Sequence, residues 1–223
     1  MSVPNTIKTQ KAALRKSVLN VRSLLSAAQI KSSSEAITKK LLESSEFQTS
    51  TSVSCFLSME GEVDTDGIVR SALDSVTIPE LRQPKGKTLY VPRMNGRVIN
   101  MLRVYDIQDL DSLEAGKWGI REPSPTRDGS ERQEALQNGG LDLIVMPGVA
   151  FDRNLARLGY GRGYYDRFIN SYAEKYGEAQ IPKLVGIALD EQIVESGMIP
   201  MESHDRSLHV IITPTESYTK GRV

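Results

Sequence analysis

The stretch Leu141-Asp142-Leu143-Ile144-Val145-Met146-Pro147-Gly148 is apolar at every position before its Pro-Gly end except Asp142. A short continuous apolar run that stops at turn residues is typical of a β-strand with both faces buried. Strands of this kind belong to mainly parallel sheets that are covered by helices on both faces. Residues 141–148 therefore predict a buried strand near the centre of an α/β fold.

Strand-like and helical segments alternate on both sides of this run. Further strands are predicted at residues 53–59, 88–92, 98–104, 184–189 and 210–213. The Asn95-Gly96 dipeptide predicts a hairpin turn between the second and third of these strands. Asp64 is predicted to cap one helix, whose apolar positions are Ile68, Val69, Leu73 and Val76. A second helix is predicted after residue 163 from the spacing of Phe168, Ile169, Tyr172 and Tyr176.

The segment from Gly116 to Gly140 is rich in glycine, proline, serine and charged residues. This composition predicts a long surface connection with little structure of its own. No internal repeat and no convincing linker divide the chain, so we predict a single domain that spans residues 1–223.

The N-terminal 40 residues carry eight basic side chains and one acidic side chain, Glu35. A basic, serine-bearing, acid-poor segment is also typical of a mitochondrial transit peptide. We favour two folded helices over about residues 8–44, because apolar residues recur at helical spacing and Ser26 with Gln29 forms a predicted capping box. The apolar positions are Leu14, Val18, Val21 and Leu25 in the first helix and Ile30, Ile37 and Leu41 in the second. We expect a cytoplasmic protein, with mitochondrial placement left open.

The 223 residues include 28 basic and 28 acidic side chains, which give a formal net charge of zero. This balance argues against nucleic-acid binding, which needs a basic surface. No apolar run approaches the length of about 18 residues that spans a membrane. The single cysteine, Cys55, excludes an internal disulfide and a multi-cysteine metal site, and it indicates a reducing compartment. We expect Cys55 to be a core residue and not a nucleophile.

The most informative motif is the decapeptide Arg157-Leu158-Gly159-Tyr160-Gly161-Arg162-Gly163-Tyr164-Tyr165-Asp166. Its three alternating glycines allow backbone N–H groups to approach an anion closely, and the predicted helix adds its N-terminal partial positive charge. Arg157 and Arg162 offer guanidinium groups that suit phosphate oxygens. The motif matches neither GxxxxGK[ST] nor GxGxxG. It predicts a phosphate-binding loop, although a flexible turn flanked by surface arginines would have the same spacing.

The decapeptide resembles the signature of the 5-formyltetrahydrofolate cyclo-ligase family. Other segments agree with that family in the same order along the chain, from about residue 8 to residue 214: Lys11–Arg15, Phe56–Thr65, Val91–Arg93, Lys117–Pro123, Met146–Asp152, Ile199-Pro200 and His204–Arg206. Two positions depart from the pattern. Met94 stands where some relatives have a substrate-contacting tyrosine, and Tyr160 stands where relatives vary.

The resemblance implies an α/β/α sandwich and an ATP- and Mg²⁺-dependent ring closure of 5-formyltetrahydrofolate to 5,10-methenyltetrahydrofolate, with release of ADP and phosphate. Residues implied to bind ATP are Lys11, Arg15, Arg157, Leu158, Gly159, Tyr160, Gly161, Arg162, Gly163, Tyr164 and Tyr165. Residues implied to bind the folate are Leu57, Glu62, Tyr160, Gly161, Arg162, Gly163 and Tyr164. Arg157, Arg162 and Tyr165 are the implied catalytic residues, and Asp166 and Asp205 the implied magnesium ligands. Phosphorylation of the formyl oxygen would make it a good leaving group.

Several of these residues also have a plain structural interpretation. Lys11 and Arg15, one helical turn apart, could form a solvated helix face. Asp166 could simply favour the helix dipole, and Asp205 and Glu62 could be loop or surface residues. Two other functions stay open at this point, a sugar-phosphate isomerase on a related sheet and a non-catalytic RNA- or nucleotide-binding relative. We expect small-molecule partners only, no nucleic acid or membrane, and a monomer.

Overall fold

The computed structural model of the chain describes residues 6–74, 86–116 and 119–220. Its helices are α1 (Ile7–Arg22), α2 (Ala27–Glu43), α3 (Ser45–Thr49), α4 (Asp66–Leu73), α5 (Ile107–Asp111), α6 (Ala135–Asn138) and α7 (Tyr164–Tyr176). Its strands are β1 (Ser52–Cys55), β2 (Thr88–Asn95), β3 (Val98–Val104), β4 (Glu114–Ala115), β5 (Arg121–Glu122), β6 (Thr126–Arg127), β7 (Ser130–Glu131), β8 (Leu143–Met146), β9 (Ala150–Asp152), β10 (Arg157–Leu158), β11 (Lys183–Ile187), β12 (Ile193–Val194), β13 (Val210–Ile212) and β14 (Ser217–Thr219).

The central sheet has seven strands in the order β14-β13-β11-β8-β1-β2-β3. Strand β8 pairs in parallel with β1 on one side and with β11 on the other. The pairs β1–β2 and β11–β13 are also parallel, whereas the edge pairs β2–β3 and β13–β14 are antiparallel. The prediction of a mainly parallel sheet is therefore confirmed.

Strand β8 is buried on both faces, as its apolar run predicts. Leu143 and Val145 belong to a hydrophobic cluster with Ile37 and Leu41 of α2 and with α4. Ile144 and Met146 belong to a second cluster with the aromatic and apolar face of α7. Because successive side chains of a strand point to opposite faces, the two clusters lie on opposite sides of the sheet. Helices thus cover both faces, which confirms the α/β/α architecture.

The first two helices form where the apolar spacing predicts them. Helix α2 begins at the predicted capping box, in which Ser26 Oγ accepts the Gln29 N–H and Gln29 Oε1 accepts the Ser26 N–H. Ile37 and Leu41 are fully buried and Val18 of α1 is 5% exposed, whereas Val21 is 46% exposed and does not face the core. Helices α1 and α2 therefore contribute to the hydrophobic core instead of forming an unpacked leader.

The predicted strand at 53–59 ends earlier, at Cys55. The next residues turn away from the sheet, and the Thr65 hydroxyl donates to Phe56 O at 2.8 Å. Helix α4 has Thr65 at its N-cap, so the prediction of Asp64 as the cap is wrong by one residue. The Asp64 carboxylate nevertheless accepts the Asp66 N–H at 2.9 Å. Val76 lies outside the described residues.

The expectation that residues 116–140 have little structure is wrong. The segment contributes β5 and the β6–β7 hairpin, and β5 pairs with β4. It continues into α6. Arg132 is buried and forms a two-pronged ion pair with Asp109, at 2.6 Å and 2.7 Å. Lys117 and Trp118 lie outside the described residues.

The other predicted elements are present with small changes of boundary. The Asn95-Gly96 hairpin joins β2 to β3, and Asn95 pairs with Val98 across the turn. Helix α7 follows the glycine loop, with Phe168, Ile169 and Tyr172 buried. Among the helices of the described residues, none is both long enough and apolar enough to cross a membrane.

Candidate active site

The glycine loop runs from a short strand into a helix. Arg157 and Leu158 of β10 pair with Phe151 and Ala150 of β9, and Gly163 is the N-cap of α7. Gly161 and Gly163 have φ values of +93° and +64°, a region that residues with side chains rarely adopt. The predicted helix after the glycine loop is therefore present, whereas the short strand β10 at the start of the motif was not predicted.

The glycines also leave room for arginine side chains. A Cβ atom at Gly161 would lie 3.3 Å from the Arg15 guanidinium carbon, and a Cβ atom at Gly163 would lie 2.9 Å from Arg167 Nη1. Arg15 Nε donates to Gly159 O at 2.7 Å. A side chain at Gly161 would therefore meet Arg15 in addition to straining the backbone.

Three cations of α1 contact the glycine loop or the loop that follows Met201. Lys11 Nζ donates to Asp205 Oδ2 at 2.6 Å and to Glu202 Oε2 at 2.8 Å. Arg15 reaches Gly159, and Arg22 Nη1 donates to the Tyr160 hydroxyl at 3.0 Å. The Lys11 side chain is only 12% exposed, so Lys11 does not belong to a solvated helix face.

The Lys11–Asp205 pair keeps both groups charged. Burial disfavours charged lysine, but hydrogen bonds to Asp205 and Glu202 outweigh it and raise the pKa of Lys11. Burial likewise opposes ionisation of Asp205, but Lys11 and the Glu202 N–H outweigh it and lower the pKa of Asp205. Burial lowers the pKa of Arg15. Lys11, Arg15 and Arg22 form a row of cations on α1. This row faces the 202–206 loop and the glycine loop.

Arg157 is enclosed. Its side chain is 4% exposed, Nη2 donates to Asp166 Oδ2 at 3.0 Å, and Nη1 donates to Pro147 O at 3.3 Å. Its Nε is buried, and no group in the described part of the chain accepts from it. The guanidinium lies 5.5 Å from the centroid of the Tyr165 ring. Burial raises the pKa of the Tyr165 hydroxyl, which therefore stays protonated at neutral pH.

Arg162 differs from the other predicted loop arginine. It is exposed, and its guanidinium makes no hydrogen bond or ion pair within residues 6–74, 86–116 and 119–220. Leu158, by contrast, is 2% exposed and packs with Val149 and Ile199, so its side chain belongs to the core. The loop therefore offers backbone groups and Arg162 to a ligand.

The two predicted magnesium ligands have different surroundings. Ligand atoms of Glu202, His204 and Asp205 lie within 4.8 Å of one another, and this group does not include Asp166. Asp166 instead accepts from Arg157 and, at 3.2 Å, from the Arg206 N–H. Carboxylate oxygens are the ligands that Mg²⁺ prefers, so Asp205 with Glu202 fits such an ion. Joint binding by Asp166 and Asp205 stays a prediction.

Of the two predicted folate residues outside the glycine loop, Glu62 contacts the loop and Leu57 lines a separate small cavity. Glu62 is 8% exposed and accepts the Tyr160 hydroxyl at 2.5 Å. Leu57 is 6% exposed and lines a cavity of about 100 Å³ together with Ser58, Asp64, Thr65, Asp66, Gly119 and Arg121. The Tyr164 hydroxyl donates to Gly96 O at 3.0 Å, which ties α7 to the β2–β3 hairpin. Met94 packs against the cluster on the α7 face of the sheet.

The sequence-based predictions give no role to Arg22, Glu202 or Arg206, although Arg206 lies in the His204–Arg206 segment that resembles the family. Arg22 was detectable, because it lies seven positions after Arg15 and therefore falls on the same helical face. Arg206 binds Glu178 at 2.9 Å through two nitrogens and Asn170 at 2.6 Å, contacts that hold the loop of Asp205 against α7. No spacing in the sequence indicates Glu202 or Arg206.

Cys55 is fully buried in β1, as predicted. Burial raises the pKa of its thiol far above the physiological range, so it is not a nucleophilic thiolate.

Residues 7–214 match the model of the 5-formyltetrahydrofolate cyclo-ligase family. A probable 5-formyltetrahydrofolate cyclo-ligase of Caenorhabditis elegans is 34% identical over 215 residues, which cover 96% of this chain and 97% of that protein. The 5-formyltetrahydrofolate cyclo-ligase of Mus musculus is 31% identical over 93% of this chain and 95% of its own. A mitochondrial 5-formyltetrahydrofolate cyclo-ligase of Arabidopsis thaliana is 32% identical over 95% of this chain and 76% of its own.

The fold is also similar to solved structures. The 5,10-methenyltetrahydrofolate synthetase of Aquifex aeolicus has a TM-score of 0.71 and 30% sequence identity, with 96% of this chain and 95% of that chain covered. Since the family match runs from the start of α1, through the glycine loop, to just beyond β13, the chain belongs to the 5-formyltetrahydrofolate cyclo-ligase family.

Proposed function

We propose that this protein converts 5-formyltetrahydrofolate to 5,10-methenyltetrahydrofolate and consumes ATP, with release of ADP and phosphate. The observation that carries the proposal is the glycine loop with Gly161 and Gly163 at positive φ, faced by Arg15 and leading into α7, in a member of this family. Positive-φ glycines before a helix N-terminus form a favourable place for phosphate oxygens.

The chemistry follows from the formyl group. Its oxygen is a poor leaving group, so the neighbouring amine cannot displace it directly. Transfer of the γ-phosphoryl group of ATP to that oxygen forms a P–O bond and releases ADP. The amine nitrogen then attacks the formyl carbon and releases its proton to the solvent, the C–O bond breaks, and the oxygen leaves in inorganic phosphate. Such a transfer depends mainly on positioning and on neutralisation of phosphate charge.

The residues of the site suit that demand. Arg162 is free to bind phosphate, because no described group holds it. Lys11 and Arg15 approach the loop region from α1, and the loop supplies backbone N–H groups. Arg157 is held by Asp166 and Pro147 and lies against the Tyr165 ring. We therefore propose that it positions the start of α7.

Magnesium would be held by Asp205 with Glu202, and by Asp166 if ATP binding brings the two loops together. When bound, the ion would supply positive charge to the triphosphate. Lys11 pairs with both Asp205 and Glu202. Its hydrogen bond contributes to the lowered pKa of Asp205, which keeps that carboxylate ionised and able to act as a ligand.

We further propose that the protein acts in the cytoplasm as a monomer on small molecules alone. The zero net charge supports only the last of these points, because a net basic surface favours nucleic-acid binding. Cell fractionation tests the location, and light scattering tests the oligomeric state.

A spectrophotometric assay tests the reaction. Purified protein, ATP, Mg²⁺ and 5-formyltetrahydrofolate should generate the absorbance of methenyl-folate, and omission of ATP or chelation of the metal should abolish it. Absorbance that rises equally without ATP, or no product at all, would contradict the proposal. A sugar-phosphate isomerase would need no nucleotide, so ATP hydrolysis that depends on the folate also excludes that alternative.

A further inference from the structure

A chain of hydrogen bonds joins α1, the glycine loop and the folate side of the site. Arg22 Nη1 donates to Tyr160 Oη at 3.0 Å, and the Tyr160 hydroxyl donates to Glu62 Oε1 at 2.5 Å. The other carboxylate oxygen of Glu62, Oε2, accepts the Met59 N–H at 3.0 Å. Glu62 is therefore held at one oxygen by its own turn and at the other by the glycine loop.

Burial and charge determine which groups donate and which accept in this row of hydrogen bonds. Glu62 is 8% exposed, and polar oxygens so buried need hydrogen-bond donors. Tyr160 is 42% exposed, but its hydroxyl end lies between Arg22 and Glu62. Burial and the nearby Glu62 raise the pKa of Tyr160, so the hydroxyl keeps its proton and acts as the donor. Arg22 also lies 6.0 Å from the centroid of the Tyr160 ring.

Tyr160 belongs to the glycine loop, where it stands between Gly159 and Gly161. Gly159 O accepts from Arg15, and Gly161 has a φ of +93°. A phosphate bound by the loop would restrict the backbone on both sides of Tyr160. The restricted backbone would in turn hold the hydroxyl against Glu62, which preorganises that carboxylate for the folate.

We propose that Tyr160 and Arg22 are positioning residues that couple nucleotide binding at the glycine loop to the orientation of Glu62, an inference that rests on the function proposed above. Bound nucleotide then increases the affinity for 5-formyltetrahydrofolate, and by linkage the folate increases the affinity for nucleotide by the same factor. Neither residue needs to touch the reacting atoms for this role.

Calorimetry measures the coupling directly. The dissociation constant of 5-formyltetrahydrofolate is determined with and without a non-hydrolysable ATP analogue and Mg²⁺, in the parent and in variants. We expect the analogue to tighten folate binding at least about fivefold in the parent and less than about twofold in Tyr160→Phe. Arg22→Met should reduce the factor and Arg22→Lys should restore it, because lysine keeps a charged donor.

A matched hydroxyl deletion controls for general effects. The Tyr176 hydroxyl, on the same helix that the loop enters, donates to Leu136 O at 2.8 Å, far along the helix from the glycine loop. Tyr176→Phe should keep the coupling factor of the parent. The inference would be overturned if the analogue tightened folate binding equally in Tyr160→Phe and in the parent. It would also be overturned if the analogue did not change folate binding in the parent.

Failure of the proposed function can be distinguished from failure of this inference. If the parent makes no methenyl-folate, that function is wrong, and the link from Tyr160 to Glu62 is judged on urea unfolding. Tyr160→Phe, Glu62→Gln and the double variant form a cycle. Non-additivity of at least about threefold in the unfolding constant would support positioning of Glu62 by Tyr160, and additive effects would contradict it.

Discussion

Arg162 stands between Gly161 and Gly163 and has no partner among the described residues. Arg162→Ala should therefore weaken ATP binding without unfolding the protein. Loss of a charge-assisted contact with phosphate should reduce the affinity by about 1.5–3 kcal/mol, or roughly tenfold to a hundredfold. Calorimetric titration with ATP measures the effect. Arg153→Ala is the control, since its guanidinium lies over Tyr218, and an ATP affinity that is equal in the two variants would contradict the assignment.

A side chain at Gly161 would crowd the Arg15 guanidinium, and the backbone has a φ of +93° that residues with side chains rarely adopt. Gly161→Val should abolish turnover more completely than Arg162→Ala, because it displaces Arg15 and blocks the approach of phosphate. Gly129→Val is the matched control, since Gly129 has a φ of +79° with nothing within 4 Å of its Cβ position. Steady-state rates compare the two. Near-normal turnover of the Gly161 variant would mean that the loop only connects β10 to α7 and does not bind phosphate.

Asp205 and Asp166 should respond differently to removal of their charge. Asp205→Asn should raise the magnesium concentration needed for half-maximal activity with little loss of stability, because Lys11 keeps Glu202 as a partner. Asp166→Asn leaves the buried Arg157 guanidinium without its counter-ion and should destabilise the fold by about 3 kcal/mol. Magnesium titrations and urea unfolding measure the two effects. A parental magnesium curve for Asp205→Asn would exclude Asp205 as a ligand.

Helix α5 and the segment after β5 are joined by a buried ion pair. Asp109 and Arg132 side chains are 2% and 4% exposed. Arg132→Ala leaves Asp109 buried without its main partner and should destabilise the protein by about 3–5 kcal/mol. Arg127→Ala removes a partly exposed cation 3.4 Å from the same carboxylate, and should have an effect below about 1 kcal/mol. Urea unfolding of both variants measures the difference. Equal losses of unfolding free energy in the two variants would contradict a special contribution of the buried Arg132–Asp109 pair to stability.

The same pair has a defined pH dependence. Burial opposes ionisation of Asp109, but Arg132, the Tyr105 N–H and Arg127 outweigh it and lower its pKa from the ordinary value near 3.8. A lowered carboxyl pKa adds stability above the unfolded-state value, and that stability is lost as the pH falls through the native value. The difference in unfolding free energy between the parent and Asp109→Asn should stay constant from about pH 7 to about pH 5 and shrink below about pH 4. A difference that grows with acidification would contradict this assignment.

Elements with a local signal were predictable, and those held by distant partners were not. The apolar run of β8 indicates two buried faces, and Ser26 with Gln29 indicates where α2 begins, because both signals lie within a few residues. The segment 116–140 has the composition of a loop, but Asp109 lies outside it and supplies the ion pair that orders Arg132. The strand predicted at 53–59 is longer than the observed β1 because Phe56 and Leu57 are buried without being in the sheet.

Across the whole molecule, the candidate site is assembled from segments far apart in the chain. Lys11 of α1 meets Asp205 nearly at the other end of the chain, and Tyr160 of the glycine loop meets Glu62 from the turn after β1. The resemblance to the family implied most of these residues individually. It did not indicate which of them pair with each other, because pairing depends on the packing of α1 and of the 202–206 loop against the glycine loop. Arg22 reaches Tyr160 from the same face of α1 as Arg15, but its partner could not be predicted from that spacing.

We propose that the ATP γ-phosphoryl group passes directly to the formyl oxygen, with no covalent intermediate on the enzyme. The buried Cys55 offers no nucleophile for such an intermediate. Substrate with heavy oxygen in the formyl group tests this transfer, with mass spectrometry of the released phosphate. We expect one heavy oxygen atom in inorganic phosphate per turnover and none in ADP. Heavy oxygen recovered in bulk water, with unlabelled phosphate, would contradict it.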